Sequence, residues 1–316
     1  MAWNRRMRAS CPIVVTMTMA MAPALAVAGC APAHGVRAIR AEATALRPLV
    51  HTALARRYVA AAARLPEVAT RTVVVGGKPH VVDEEYYYTT RYGTPLAYAR
   101  PLEILAGHGF GDVAGRRIVD FGYGGIGQLL TLASLGADVA GVDVDPLLRA
   151  MYADRDGPWG TGRLRTVDGR WPADAAVRAA IGDGYDLFVS KNVLKRGYIH
   201  PAQAVDERKT IKLGVDDEAF LRAVFALLKP GGRMLIYNLA PAPAPPGKPY
   251  IPWADGRSPF PRELYERVGF RVVGFEIDDT TAARQMARAL GWDRGPDAMD
   301  LHNGLFAGYT LVEKPE

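Results

Sequence analysis

The chain has 316 residues, 49% of them hydrophobic and 23% charged, with a formal net charge of +6. This is the balance of a globular chain long enough to bury a core, and it excludes a disordered, collagen-like or multi-pass membrane protein. Arg5, Arg6 and Arg8 are the only charged residues before Cys30, so the remainder carries +3. That is too mild a charge for a nucleic-acid partner, and there is no basic block with interleaved aromatics.

The N-terminus comes first in chain order. Its three arginines precede an uncharged stretch from Cys11 to Gly29 that ends Val27-Ala28-Gly29-Cys30. A basic start, an apolar stretch and small residues at the end read as a signal peptide over residues 1–29. The last four residues resemble a bacterial lipobox. The resemblance implies cleavage before Cys30, a lipid on its thiol, and a membrane-anchored lipoprotein on the periplasmic or outer side. Two other readings stay open: an uncleaved anchor, or a misassigned start that leaves the protein in the cytoplasm. Cys11 and Cys30 are the only cysteines. An intramolecular disulfide or a thiolate-bound zinc is therefore excluded from the folded part, and no metal site is expected.

Residues 30–110 read as a helical and hairpin extension. From Val36 to Leu65, apolar positions recur every three or four residues, which predicts amphipathic helix interrupted near Pro48. Thr72–Val75 and His80–Val82 flank Gly76-Gly77 and predict a small hairpin. Tyr86, Tyr87, Tyr88, Tyr92 and Tyr98 crowd the next stretch, a candidate wall for a site. Pro95 can open a helix to about Leu105, which Pro101 would strain.

Over residues 111–316, short apolar runs alternate with helical stretches. Strands are predicted at Ile118–Phe121, Asp138–Val142, Leu164–Val167, Tyr185–Ser190, Arg233–Leu239, Phe270–Ile277 and Leu305–Glu313. Helices fall between them, and a long proline-rich loop runs from Pro241 to Pro261. This alternation implies βαβ units and a doubly wound α/β sheet.

The sharpest motif is Val119-Asp120-Phe121-Gly122-Tyr123-Gly124-Gly125-Ile126-Gly127, between a predicted strand and a predicted helix. Glycines there permit a tight turn and close approach to a ligand. The next strand ends at Asp143, where an acid can accept ribose hydroxyls. Gly122, Gly124 and Gly127 also satisfy a dinucleotide fingerprint, so an NAD(P)-dependent oxidoreductase is one reading. Against it, the Asp120 carboxylate would repel a pyrophosphate and suits a ligand carrying an ammonium and a sulfonium.

From about residue 94 onward the chain resembles the class I S-adenosylmethionine-dependent methyltransferases. Asp120, Gly122, Gly124 and Gly125 are similar to the family's acidic strand end and glycine loop, and Asp143 to its ribose-binding acid. Asp168 stands where the family places a residue beside the adenine. Tyr185–Ser190 resembles the fourth strand and Leu228–Arg233 the turn before the fifth. The resemblance implies a mostly parallel, Rossmann-like, seven-stranded sheet with an antiparallel last strand, and S-adenosylmethionine as cofactor. One departure is Ile126, where the family often has a third glycine.

Methyl transfer mainly requires alignment and exclusion of water, so no fixed triad is expected. Acceptor contacts are sought after the fourth and fifth strands. Lys191 and Asn192 are candidates there, with Tyr198 and His200 as catalytic candidates and His200 the plausible base. Lys195 and Arg196 read as solvated or as partners of an acidic acceptor. In the proline-rich loop, Tyr250, Trp253 and Asp255 suit a lid or acceptor wall. Asp186 reads as a solvated strand-start residue. The expected activity is methyl transfer to a small molecule, and the alternative of another class is a non-catalytic lipoprotein of the same fold.

Overall fold

The computed structural model describes residues 35–90, 93–295 and 298–316. The predicted signal peptide, Cys30 and Tyr92 lie outside them. Helix α1 (Gly35–Leu46) buries Val36, Ile39, Ala43 and Leu46, the stripe expected from its period. Pro48 breaks it into a 3-10 turn, and α2 (Ala53–Ala62) follows. The break is fastened by Glu103, whose carboxylate accepts from the His51 and Thr52 amides and the Thr52 hydroxyl at 2.7–2.9 Å.

Strands β1 (Arg71–Val75) and β2 (Lys78–Val82) form an antiparallel hairpin. Its turn residues Gly76 and Gly77 have φ of +56° and +75°, which favours glycine at both positions. Helix α3 (Glu84–Thr89) follows, capped by Asp83, and then α4 (Ala99–Gly107). Pro101 falls in the first turn of α4, where an amide has no acceptor within the helix, and the helix runs on past it to Gly107.

The remaining elements build one sheet with helices on both faces. In chain order they are β3 (Arg117–Phe121), α5 (Gly127–Ser134), β4 (Asp138–Asp143), α6 (Pro146–Tyr152), β5 (Gly157–Trp159) and β6 (Gly162–Asp168). Next come α7 (Ala175–Ile181), β7 (Tyr185–Lys191), α8 (Arg196–Ile199), α9 (Asp217–Leu227) and β8 (Leu228–Ala240). The chain ends with α10 (Arg262–Val268), β9 (Arg271–Asp278), α11 (Thr280–Ala289), α12 (Leu301–Gly304) and β10 (Phe306–Glu313).

The strand order is β5-β6-β4-β3-β7-β8-β10-β9. β6, β4, β3, β7 and β8 are parallel, and β10 runs antiparallel between β8 and β9. This is a Rossmann-like α/β fold. The sheet has eight strands and not the predicted seven, because β5 adds an antiparallel edge to β6. Three residues centred on Pro158 carry no alternating apolar signal, and proline is tolerated at an edge.

Alternate strand residues enter two cores. Ile118, Val139 and Leu187 face a core shared with α1, α2, α4, α5 and α11. Val119, Ala140 and Phe188 face the other, beneath α7, α9 and α10, where Phe121, Trp171, Phe188 and Phe220 stack or meet edge to face. A buried polar cluster fastens the first layer to the sheet. The Arg100 guanidinium on α4 grips both oxygens of Asp279, which also accepts the Tyr237 hydroxyl of β8 at 3.0 Å.

At the far edge, Gly162 lets β6 pass under the end of α5. A Cβ there would lie 2.2 Å from the Ala137 carbonyl and 2.4 Å from that of Ala133. Gly162→Ala is therefore expected to cost about 2–3 kcal/mol of stability. Denaturant unfolding reads this directly, and an unchanged midpoint would count against such close packing.

Candidate functional site

The sheet brings the predicted acids to one edge. Asp143 at the end of β4 is the register partner of Asp168 at the end of β6. Asp120 in β3 is paired with Gly141 of β4 on one side and Val189 of β7 on the other. Lys191 ends β7 beside Tyr237 of β8. From β3 the chain winds first to β4 and β6 and then crosses to β7, so the topological switch point lies between β3 and β7. Ligands of doubly wound sheets bind outside the strand ends at that point.

The glycine loop opens there. Gly122 and Gly124 have φ of +71° and +61°, which side-chain-bearing residues rarely adopt. A Cβ on Gly122 would lie 2.5 Å from Val193 of the segment after β7. Gly125 passes close under the Tyr88 carbonyl, at 3.4 Å from a notional Cβ. Ile126, the departure from the expected glycine, has a helical backbone that any residue adopts and buries its side chain fully at the start of α5. The crowded position is its neighbour Gly127, whose Cβ would strike Pro95.

Asp120 is fully buried. Its Oδ2 accepts from the Tyr98 hydroxyl at 2.7 Å and from Gln128 Nε2 at 3.2 Å, while Oδ1 has no hydrogen-bond partner. Burial pushes its carboxyl up to about 6, against the two hydrogen bonds and the Lys191 charge, which favour the ionised form. Lys191 lies over the Tyr98 ring, 5.4 Å from its centroid, and burial pushes its ammonium down to about 8. Tyr98 brings the tyrosine-rich stretch into the site. Thr90 from the same stretch donates to the Gly124 carbonyl at 2.8 Å. The roles of Gln128 and Thr90 were not foreseen from the sequence. The available signal for Gln128 was its place in the first turn of the helix that the glycine loop opens.

Asp143 holds the loop in shape. Its carboxylate accepts from the Gly124 amide at 3.1 Å and from those of Val144 and Asp145 at 2.7 and 3.0 Å. Desolvation raises its pKa against these three donors. The following residue, Val144, is 62% exposed, an apolar face beside the acid that the sequence reading missed. Asp168 pairs with Arg149 at 3.1 Å.

The segment after β7 and the proline-rich loop are bound together. Asn192 has φ of +66°, and its Oδ1 accepts the Leu239 amide at 2.7 Å. Its carboxamide thus shapes the end of β8. Lys195 is not solvated: it is buried, with its ammonium on the Leu239 and Trp253 carbonyls, and burial pushes it down to about 7. Arg196 is exposed. Asn238 donates to the Leu194 and Gly256 carbonyls at 2.8 and 3.0 Å. Trp253 lies in a 3-10 turn, Asp255 is committed to Arg257 at 2.7 Å, and the Tyr250 hydroxyl accepts the Ala202 amide at 3.4 Å. Residues 252–257 are thus tied by hydrogen bonds to the segment after β7 and to Asn238 of β8.

Two further residues are placed differently from expectation. Asp186 is not solvated but buried, paired with Arg116 and Lys229 at the opposite end of β7 from Lys191. His200 is exposed, and its Nε2 meets Asp217 Oδ2 at 2.8 Å. The pair lines an open groove of about 1150 Å³ with Ile199, Leu213 and Arg267, a lining that includes no residue of the glycine loop. Tyr198 is half-buried, with its hydroxyl pushed up to about 12 by burial, so it is protonated at neutral pH. No cluster of metal-ligating side chains occurs among the described residues.

No protein-family profile matches the chain, and no curated protein does. Solved structures do resemble it. One is phosphoethanolamine N-methyltransferase 2 of Haemonchus contortus, with 16% identity and a TM-score of 0.46 over 73% of this chain and 56% of that one. Another is the [4+2]-cyclase SpnF, with 16% identity and a TM-score of 0.41 over 89% and 96%. A third is the StiE O-methyltransferase segment, with 13% identity and a TM-score of 0.39 over 70% and 75%. At such identity and overlap the likeness is one of backbone arrangement alone.

Proposed function

We propose that the protein is an S-adenosylmethionine-dependent methyltransferase acting on a small-molecule acceptor. The observation that carries this reading is Asp120: a buried carboxylate with one unpartnered oxygen, at the switch point and under a glycine loop. A buried acid in that state is costly unless a cation meets it. The cofactor's ammonium is such a cation. The other residues fit the same molecule. The turn made by Gly122, Gly124 and Gly125 lets the backbone come close to a ligand, Asp143 can exchange amide partners for ribose hydroxyls, and Val144 and Asp168 flank the place for a base. An NAD(P) reading fits less well, because Asp120 would face a pyrophosphate and β10 separates β8 from β9.

When bound, the cofactor supplies a methyl group on a sulfonium, which is already an excellent leaving group. What remains for the chain is to bind, align and keep out water. Tyr98 and Gln128 orient Asp120. Lys191 presents an ammonium across the switch point and can hold an anionic or hydrogen-bond-accepting part of the acceptor. The wall containing Tyr250 and Trp253 closes the acceptor side. The Val27–Cys30 sequence extends the proposal to a membrane-anchored enzyme.

Calorimetric titration of the purified protein with S-adenosylmethionine, S-adenosylhomocysteine and NAD tests this. Binding of the first two near ~1 μM, about −8 kcal/mol, is expected, with Asp143→Ala abolishing it. Binding of NAD alone, or of none of the three by folded protein, would overturn the assignment.

A further inference from the structure

The β1–β2 hairpin turns one face inward and one outward. Val82 is buried and Val73 packs on the core. On the outer face Thr72 stands opposite Val81, and Val74 opposite Pro79. Val74 is 64% and Val81 70% exposed, the most exposed large hydrophobic side chains among the described residues. An apolar outer face on a two-stranded ribbon calls for a partner.

The course of the chain indicates which partner. Glu84, two residues past the end of β2, accepts the Val36 amide on Oε1 and the Val68 amide on Oε2, both at 2.8 Å. The start of α1 is thereby pinned to the base of the hairpin. Cys30 lies five residues before Gly35, a reach of at most about 18 Å. That matches the roughly 17 Å length of a five-residue strand. An anchor there, either a lipid on Cys30 or the uncharged stretch Cys11–Gly29, would bring the bilayer within reach of the hairpin. Residues 71–82 also carry Arg71 and Lys78 and no acid. Arg71 is paired with Asp154, while Lys78 is exposed at the turn and suits anionic headgroups.

We infer that the face formed by Thr72, Val74, Pro79 and Val81 is a membrane-docking surface, seated at the headgroup boundary of an anionic bilayer beside the N-terminal anchor. It rests on the anchored reading of the N-terminus and is independent of the methyltransferase assignment. Such docking fixes the orientation of the protein on the membrane, which a tether alone does not.

The test uses the full chain with Cys11→Ser and Cys30→Ser, which keeps the apolar stretch and removes both thiols. A fluorophore is attached at Val81→Cys or, as the comparison, at the exposed Ala204→Cys. The chain is reconstituted into phosphatidylcholine vesicles containing phosphatidylglycerol and nitroxide-labelled lipid. Quenching at position 81 about fivefold or more above that at 204, and lost on adding Val74→Asp, is the expected result. Equal quenching at the two positions, or indifference to Val74→Asp, would overturn the proposal. So would a fluorescence change that follows protein concentration without vesicles, which would identify a second copy as the occupant.

Discussion

Asp120→Asn is expected to weaken S-adenosylmethionine binding about 100-fold, close to 3 kcal/mol. Asparagine keeps the size of the side chain and an oxygen for Tyr98 and Gln128. It removes the negative charge and aims an N–H₂ or a neutral oxygen where Asp120 Oδ1 has no partner. The loss should therefore appear in affinity without loss of the fold. Calorimetry with both proteins reads the effect, and equal affinities would remove Asp120 from the binding site.

The same residue sets a pH dependence with a definite sign. Its carboxyl titrates at about 6, and only the ionised form attracts an ammonium. Affinity should be flat above pH 7 and fall about tenfold per unit below pH 6, with no such fall in Asp120→Asn. Stability of the unliganded protein runs the other way. The folded value lies above the unfolded value of about 3.9, so folding favours the protonated acid, and acidification from pH 7 through 6 stabilises. Lys191 and Lys195, held near 8 and 7, favour folding as pH rises. The difference between wild type and Asp120→Asn isolates the Asp120 contribution.

Asp279→Ala is expected to cost about 3–5 kcal/mol of stability. Its carboxylate is the common acceptor for the Arg100 guanidinium and the Tyr237 hydroxyl, and all three side chains are buried or nearly so. Removing it strands a cation and a hydroxyl between α4, β8 and the start of α11. The double variant Arg100→Met, Asp279→Leu should recover most of the loss, because no charge is then left unpaired. Chemical denaturation of the three proteins checks both statements. A double variant no more stable than Asp279→Ala would show that the cost lies elsewhere, in packing.

Local chemistry made much of this chain readable before any tertiary information. Strand Tyr185–Lys191, buried along nearly all its length, is built around the apolar run Leu187-Phe188-Val189, and Pro146 after Asp145 marks a helix start in any context. Gly122 and Gly124 sit at positive φ because the turn into α5 requires it, and a glycine pattern after a strand carries that requirement in the sequence. That Asp120, Asp143 and Asp168 each lie at or near the end of a strand also follows from the pattern, while the adjacency of those strands is seen in the fold.

Tertiary packing decided what those residues meet. Nothing local indicates that Tyr98 reaches Asp120 across 22 positions, that Lys195 is drawn inward to carbonyls of β8 and the 3-10 turn, or that His200 pairs with Asp217 away from the glycine loop. A lysine in a polar stretch looks solvated because its burial depends on a distant segment folding over it. The sequence by itself determined the alternation of strands and helices and the acidic, glycine-rich strand ends, since these rest on backbone geometry and periodicity. The tertiary structure alone decided which side chains are left without a partner there, because that depends on contacts between segments far apart in the chain.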